Sequence, residues 1–176
     1  MPARPALAVS LYVAGRRCVV VGDGPPADER AARLTDAGAN PDRIPAATYH
    51  AAALTGALVV FCSDAALAPQ VSRDARAAGA LFYAMDLPDL SDFAAPAVAR
   101  RGPISLAIST DGEAPALARR LRQELQRLLD AADPRLDDLL AEMVTLRAGL
   151  PSGQERTDRL RALADRVALD GKLSLS

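Results

Sequence analysis

The chain has 176 residues, half of them hydrophobic but only 3% aromatic and none tryptophan, so its core must be packed from Ala, Val and Leu, which suits a parallel sheet covered by helices. Its 21 basic residues are balanced by 22 acidic ones, without the basic excess of a nucleic-acid binder, and no apolar run reaches the ~18–20 residues of a membrane span. The N-terminus lacks the basic region and apolar stretch of a signal peptide, so a cytoplasmic protein is expected.

Leu11-Tyr12-Val13 and Cys18-Val19-Val20-Val21 read as an extended segment and the first central strand, joined by a turn at Ala14–Arg17. Gly22-Asp23-Gly24-Pro25-Pro26-Ala27 follows, opening a helix that runs to about Ala37 and stops at Gly38. Strand, glycine turn and helix are the context of a dinucleotide fingerprint, and GxGxxA is an accepted form of it. The alternative is a tight turn with proline pre-set for the first helical turn. Pro25 and Pro26 remove two N–H donors from the place where a pyrophosphate would sit, and Asp23 adds a negative charge there. Asp42 has the ~20-residue spacing of the acid that holds an adenosine ribose, but no apolar strand leads into it. The second strand and the helix after it therefore read as deleted or shortened. His50 reads as a surface or partly packed histidine rather than a catalytic one.

Ala57-Leu58-Val59-Val60-Phe61-Cys62 is a strand buried on both faces. The two cysteines, Cys18 and Cys62, read as inert core thiols, and with one histidine and no CxxC pair a structural zinc site is excluded. Ser63-Asp64 either caps a helix near 66–78 or contacts a ligand. Leu81 to Met85 is the next strand and delivers Asp86 to its end, where Pro88 forbids an immediate helix. Asp86 could serve a turn, as Asp often does, or work as a carboxylate at the C-terminal edge of the sheet, where open α/β folds place their chemistry. Asp92 reads as a turn residue. Phe93 to Ala97 is a loop or short strand, Arg100-Arg101-Gly102-Pro103 a turn, and Ile104 to Ser109 the last strand.

A helix over 115–129 carries Leu117, Leu121, Leu125, Leu128 and Leu129 on one stripe. After Asp133-Pro134 two further helices follow, broken at Gly149–Gly153, with stripes at Leu136, Leu139, Leu140, Met143 and Leu146 and at Leu160, Leu163, Ala164 and Val167. Such short helices must pack together or on a partner. Residues after Gly171 read as a tail.

The run Asp86-x-Pro88-x-x-x-Asp92-Phe93-x-x-Pro96, followed by Arg100-Arg101-Gly102-Pro103 and Ser109-Thr110-Asp111-Gly112, resembles the N-terminal module of siroheme synthase, over roughly residues 8–130. The resemblance implies a Rossmann-like parallel sheet with a C-terminal helical dimerisation extension, divided as residues 1–112 and 113–176. It implies an NAD site at Gly22, Asp23, Gly24, Pro25, Asp42, Ser63 and Asp64. It implies a tetrapyrrole pocket lined by Ser109, Thr110, Asp111 and Gly112, with Arg119 and Arg120 placed to take substrate carboxylates. In the family this loop has glycine where this chain has Asp111, and serine where it has Ala114. Asp86 is implied as the acid–base residue, for oxidation of precorrin-2 to sirohydrochlorin and for insertion of Fe²⁺, which it would ligate transiently. A homodimer with a tetrapyrrole substrate is implied, with neither nucleic acid nor membrane as partner. Two alternatives stay open: a tetrapyrrole chelatase without dehydrogenase activity, and a non-catalytic tetrapyrrole-binding protein.

Overall fold

The computed structural model describes residues 6–169, so the expected tail beyond Gly171 lies outside the described residues. The chain divides into two compact units, Met1–Ala97 with Ser109–Ala118, and Val98–Ile108 with Arg119–Ser176.

The first unit is built on a parallel sheet in the order β2-β1-β3-β4, comprising β1 (Arg17–Val21), β2 (Asn40–Ile44), β3 (Val59–Cys62) and β4 (Leu81–Ala84). Strands β1 and β3 read as unbroken apolar runs because both their faces are covered. Val19, Val21, Val60 and Phe82 face the helix α2 (Ala68–Ala77), where Val71, Ala75 and Leu54 complete a core of fully buried side chains. Cys18, Val20, Val59 and Phe61 face the other way and pack on Ala27 and Leu34 of the helix α1 (Gly24–Asp36). Both helices end in the same way. Gly38 and Gly79 take positive φ, and the next residue donates back into the last turn, Ala39 N to Leu34 O at 2.9 Å and Ala80 N to Ala75 O at 2.9 Å. This six-to-one closure turns each chain directly into the following strand.

The second strand, expected to be deleted or shortened, is present as β2. It pairs along its whole length with β1, from Arg17 beside Asn40 to Val21 beside Ile44. Its sequence, NPDRI, carries no apolar run because it is an edge strand with three of its five residues exposed. Pro41 is tolerated at an edge for the same reason. The helix that would follow is replaced by two short 3₁₀ turns, Ala46–Thr48 and Ala51–Leu54.

After β2 the chain crosses β1 to add β3 on its other side, so the topological switch point lies between the C-terminal ends of β1 and β3. Gly22 makes that junction possible. Ser63 N donates to Val21 O at 3.0 Å, and a Cβ on Gly22 would lie 2.3 Å from Ser63 Oγ. Its φ of 120° is also strained for any side-chain-bearing residue.

In the second unit, β6 (Ile104–Ile108) is not the last strand of the parallel sheet. It forms a separate two-stranded sheet with β5 (Ala97–Arg101), so Arg100 and Arg101 lie in a strand and only Gly102-Pro103 make the turn. The reason is the two-residue link, which is too short for the crossover that a parallel neighbour needs. Arg101 ties this hairpin to the helices α3 (Pro115–Asp130) and α4 (Arg135–Gly149). Its guanidinium donates to Leu129 O at 2.7 Å and Ala132 O at 3.2 Å, at the end of α3, and pairs with Asp137 of α4 at 2.9 Å. A cation there also complements the negative end of the helix dipole. The last helix, α5 (Gln154–Ala164), packs on α4, and Val167 of the expected stripe falls beyond its end.

Gly22→Ala should lower stability by about 1–3 kcal/mol, the range for overpacking and backbone strain. Adding Ser63→Ala should recover the contact part of that loss and leave the φ part. Urea unfolding of the two variants against wild type reads the difference.

Candidate active site

The β1–α1 turn begins with Gly22 at φ 120° and Gly24 at φ 74°, which swing the chain from the strand into the helix. Gly22 N donates to Ile44 O at 2.9 Å. Asp23 has extended backbone and does not cap the helix with its side chain. Its carboxylate instead accepts Ala46 N at 3.0 Å, fastening the glycine turn to the loop after β2. Pro25 and Pro26 occupy the first turn and leave Asp23 and Gly24 to supply the N–H groups at the helix start.

In front of this turn, at the switch point, lies a shallow, open depression. Val20 and Phe61 come from the two switch-point strands, Pro26 and Ala27 from α1, and Ser63 and Met85 from the ends of β3 and β4. Phe61, Tyr83 and Phe93 form an aromatic cluster with ring centroids 5.5–5.8 Å apart. Arg30 lies over it, its guanidinium carbon 4.6 Å from the Phe61 centroid and 5.3 Å from that of Tyr83, within cation–π range. Partial burial pulls this guanidinium below the usual arginine value, although arginine stays charged at any physiological pH. The Cys62 thiol lines the same depression, donates to Asp64 O at 3.2 Å, and is pushed up by burial. Both cysteines are free and buried, as expected.

Asp86 follows Met85 immediately, beyond the C-terminal end of β4. It is exposed, and its backbone takes φ 59°. Asp is among the few residue types other than glycine that tolerate this left-handed conformation. No hydrogen bond or ion pair occupies its carboxylate among the described residues. Asp92 has a different task. Its backbone N–H donates to Phe82 O at 2.8 Å, and its side chain accepts Phe82 N at 2.9 Å and Arg76 Nη2 at 2.8 Å. Ser91 Oγ accepts Ala84 N at 3.0 Å. Residues 91 and 92 therefore close the outer edge of β4, and Phe93 extends the aromatic floor.

The other expected site residues fall in several places. Ser63 touches the glycine turn. Asp64 turns its carboxylate to Ala66 N and Leu67 N, both at 2.9 Å, so it shapes the approach to α2. Asp42 sits in mid-strand opposite Val19 and pairs with Arg17 at 2.7 Å. The end of β2, where a ribose-binding acid belongs, carries Ile44, with Arg43 before it on the α1 side, bonded to Asp28. Ser109, Thr110, Asp111 and Gly112 belong to the same unit as Asp86, whereas Arg119 and Arg120 belong to the second unit. Asp111 keeps a positive φ of 49°, the conformation that a glycine takes readily and Asp tolerates, and Asp111 N donates to Ser109 Oγ at 3.1 Å. Arg120 pairs with Glu124, and His50 is exposed.

Residues 9–97 match the family described as "Putative NAD(P)-binding", and residues 101–128 match "Sirohaem biosynthesis protein central". The chain belongs to this NAD(P)-binding family and corresponds to the N-terminal module of siroheme synthase. It is 35% identical over 172 residues to the siroheme synthase of Thiobacillus denitrificans, covering 85% of this chain and 36% of that one. The match to the siroheme synthase of Methylobacillus flagellatus is 31% over 172 residues, covering 85% and 37%. The chain thus spans little more than a third of the length of these relatives. Among solved structures, the precorrin-2 dehydrogenase SirC shares the fold with a TM-score of 0.66 at 21% identity, over 93% of this chain and 90% of that one.

The residues present fit a dinucleotide in most respects. Two positive-φ glycines, a crevice at the switch point and a free arginine on its wall suit a diphosphate, while the prolines withhold two of the usual N–H donors.

Sequence reasoning missed Arg30, although one signal was available. Arg30 lies three residues after buried Ala27 and four before buried Leu34, so a cation stood on the inward stripe of α1.

The positive φ at Asp86 gives a stability test independent of activity. Asp86→Ala should cost about 1 kcal/mol through left-handed backbone strain, while Asp86→Asn should be near neutral and Asp86→Gly no worse. Urea midpoints of the three variants check the order.

Proposed function

We propose that this chain carries out the NAD-dependent oxidation of precorrin-2 to sirohydrochlorin, with Asp86 as the general base. The observation that carries the reading is an exposed carboxylate without a partner, held in left-handed backbone at the sheet's C-terminal edge, one residue from the switch-point depression. The likeness to siroheme synthases and to the SirC fold supports it.

The oxidation removes two electrons and two hydrogens from the macrocycle, one as hydride and one as a proton. Bound in the crevice, the nicotinamide supplies the hydride acceptor. Asp23 and Gly24 would hold the coenzyme by their backbone N–H groups, with Gly22 keeping the turn close to Ser63 and Pro25 shaping the helix start. Asp86 receives the proton released from the ring, a task for a carboxylate within hydrogen-bond reach of it. The loop at Ser109–Gly112 contributes polar groups to the macrocycle.

The same carboxylate would accept pyrrole protons during insertion of Fe²⁺, which enters as a substrate and meets Asp86 only transiently. The chain is proposed to work as a cytoplasmic homodimer. Exposed Leu128 and Val144 on the helices of the second unit supply apolar surface for such an interface. Among the described residues no helix is long and apolar enough to cross a membrane.

Precorrin-2 and NAD⁺ incubated anaerobically with the protein should yield sirohydrochlorin and NADH in equal amounts, followed by their separate absorbance bands. Asp86→Asn should reduce kcat by about 10²–10⁴-fold, the span of general acid–base catalysis, with coenzyme affinity unchanged. Wild-type turnover at the background rate would contradict the reading.

A further inference from the structure

Arg30 is a cation in want of an anion. The flanking acids are committed elsewhere, Asp28 to Arg43 and Glu29 to Arg33. Among the described residues nothing hydrogen-bonds or ion-pairs with its guanidinium, which rests on Phe61 and Tyr83 inside the switch-point depression. One face of the fork is thus desolvated on aromatic rings, which leaves its N–H edge for a ligand. A planar guanidinium so placed suits bidentate recognition of a carboxylate or phosphate.

Two observations choose between these anions. Arg30 lies one helical turn after Pro26, so it shares a helix face and a depression with the residue whose missing N–H would have met a diphosphate. The depression also sits at the switch point, where a dinucleotide crosses the sheet in this class of fold. We propose that Arg30 holds the coenzyme diphosphate, replacing with a charged side chain the backbone donors that Pro25 and Pro26 remove. This rests on the coenzyme reading above.

The test is calorimetric titration of the full chain with NAD⁺, using inorganic pyrophosphate as competitor and sirohydrochlorin as a separate ligand. Arg30→Met should weaken NAD⁺ at least tenfold and abolish competition by pyrophosphate, while sirohydrochlorin affinity stays within twofold. Arg30→Lys keeps the charge without the fork and should fall between the two. Arg33→Met, on the same helix, should bind as wild type does, and matching urea midpoints of the four proteins would show that the fold is retained. NAD⁺ binding of equal strength in wild type and Arg30→Met overturns the inference and leaves the coenzyme reading standing. Loss of sirohydrochlorin binding alone also overturns it, by assigning Arg30 to a substrate carboxylate. Failure of the wild type to bind NAD⁺ at millimolar concentration defeats both.

Discussion

The close approach of Gly22 to Ser63 is the constraint on which the first unit depends. With no side chain at Gly22, the turn leaving β1 lies directly against the turn leaving β3, and Ser63 N bonds to Val21 O. That contact levels the C-terminal ends of the central strands, as the register Val21 to Cys62 and Cys62 to Ala84 records. It also aims α1 so that Pro26, Ala27 and Arg30 face the space above Phe61. A displaced β1 turn would separate the helix start from the strand ends and open the depression to solvent. The contact is local, but the site is assembled around it.

The eleven-residue stretch from Asp86 to Pro96 is mostly architecture. Asp86 stands free in a conformation that few residues tolerate. Ser91 and Asp92 satisfy the outer backbone groups of β4, which would otherwise offer an open edge for pairing with another chain. Phe93 completes the ring cluster beneath Arg30. The two arginines after it are architectural as well. Arg101 closes the end of α3 and pairs with α4, while Arg100 exchanges backbone bonds with the Gln126 side chain. Much of this motif is therefore built to hold elements in place, with the Asp86 carboxylate left unpaired among the described residues.

How much of this was legible in the sequence depends on burial. Strands β1 and β3, covered on both faces, announce themselves as apolar runs, and the glycines closing α1 and α2 mark their ends. The edge strand β2 was invisible because an edge strand is held by backbone pairing and by pairs such as Arg17–Asp42, not by apolar side chains. The hairpin of β5 and β6 was misjudged because Arg100 and Arg101 look like turn residues until their partners are known. Asp42 had the right spacing from the glycines, but spacing along the chain does not say which residue reaches the strand's end. Arg30 was hidden for the opposite reason. A charged residue on a helix reads as solvated unless its face is compared with the buried Ala27 and Leu34 beside it.

The central claim is that the crevice between β1 and β3 receives a dinucleotide against the β1–α1 turn. A crystal structure of the protein soaked with NAD⁺ tests it most directly. The account predicts diphosphate density in the depression in front of the Gly22–Gly24 turn, against Arg30, with the nicotinamide directed toward Met85 and Asp86. Coenzyme density elsewhere on the molecule, or a crevice still lined as before at saturating NAD⁺, would contradict it.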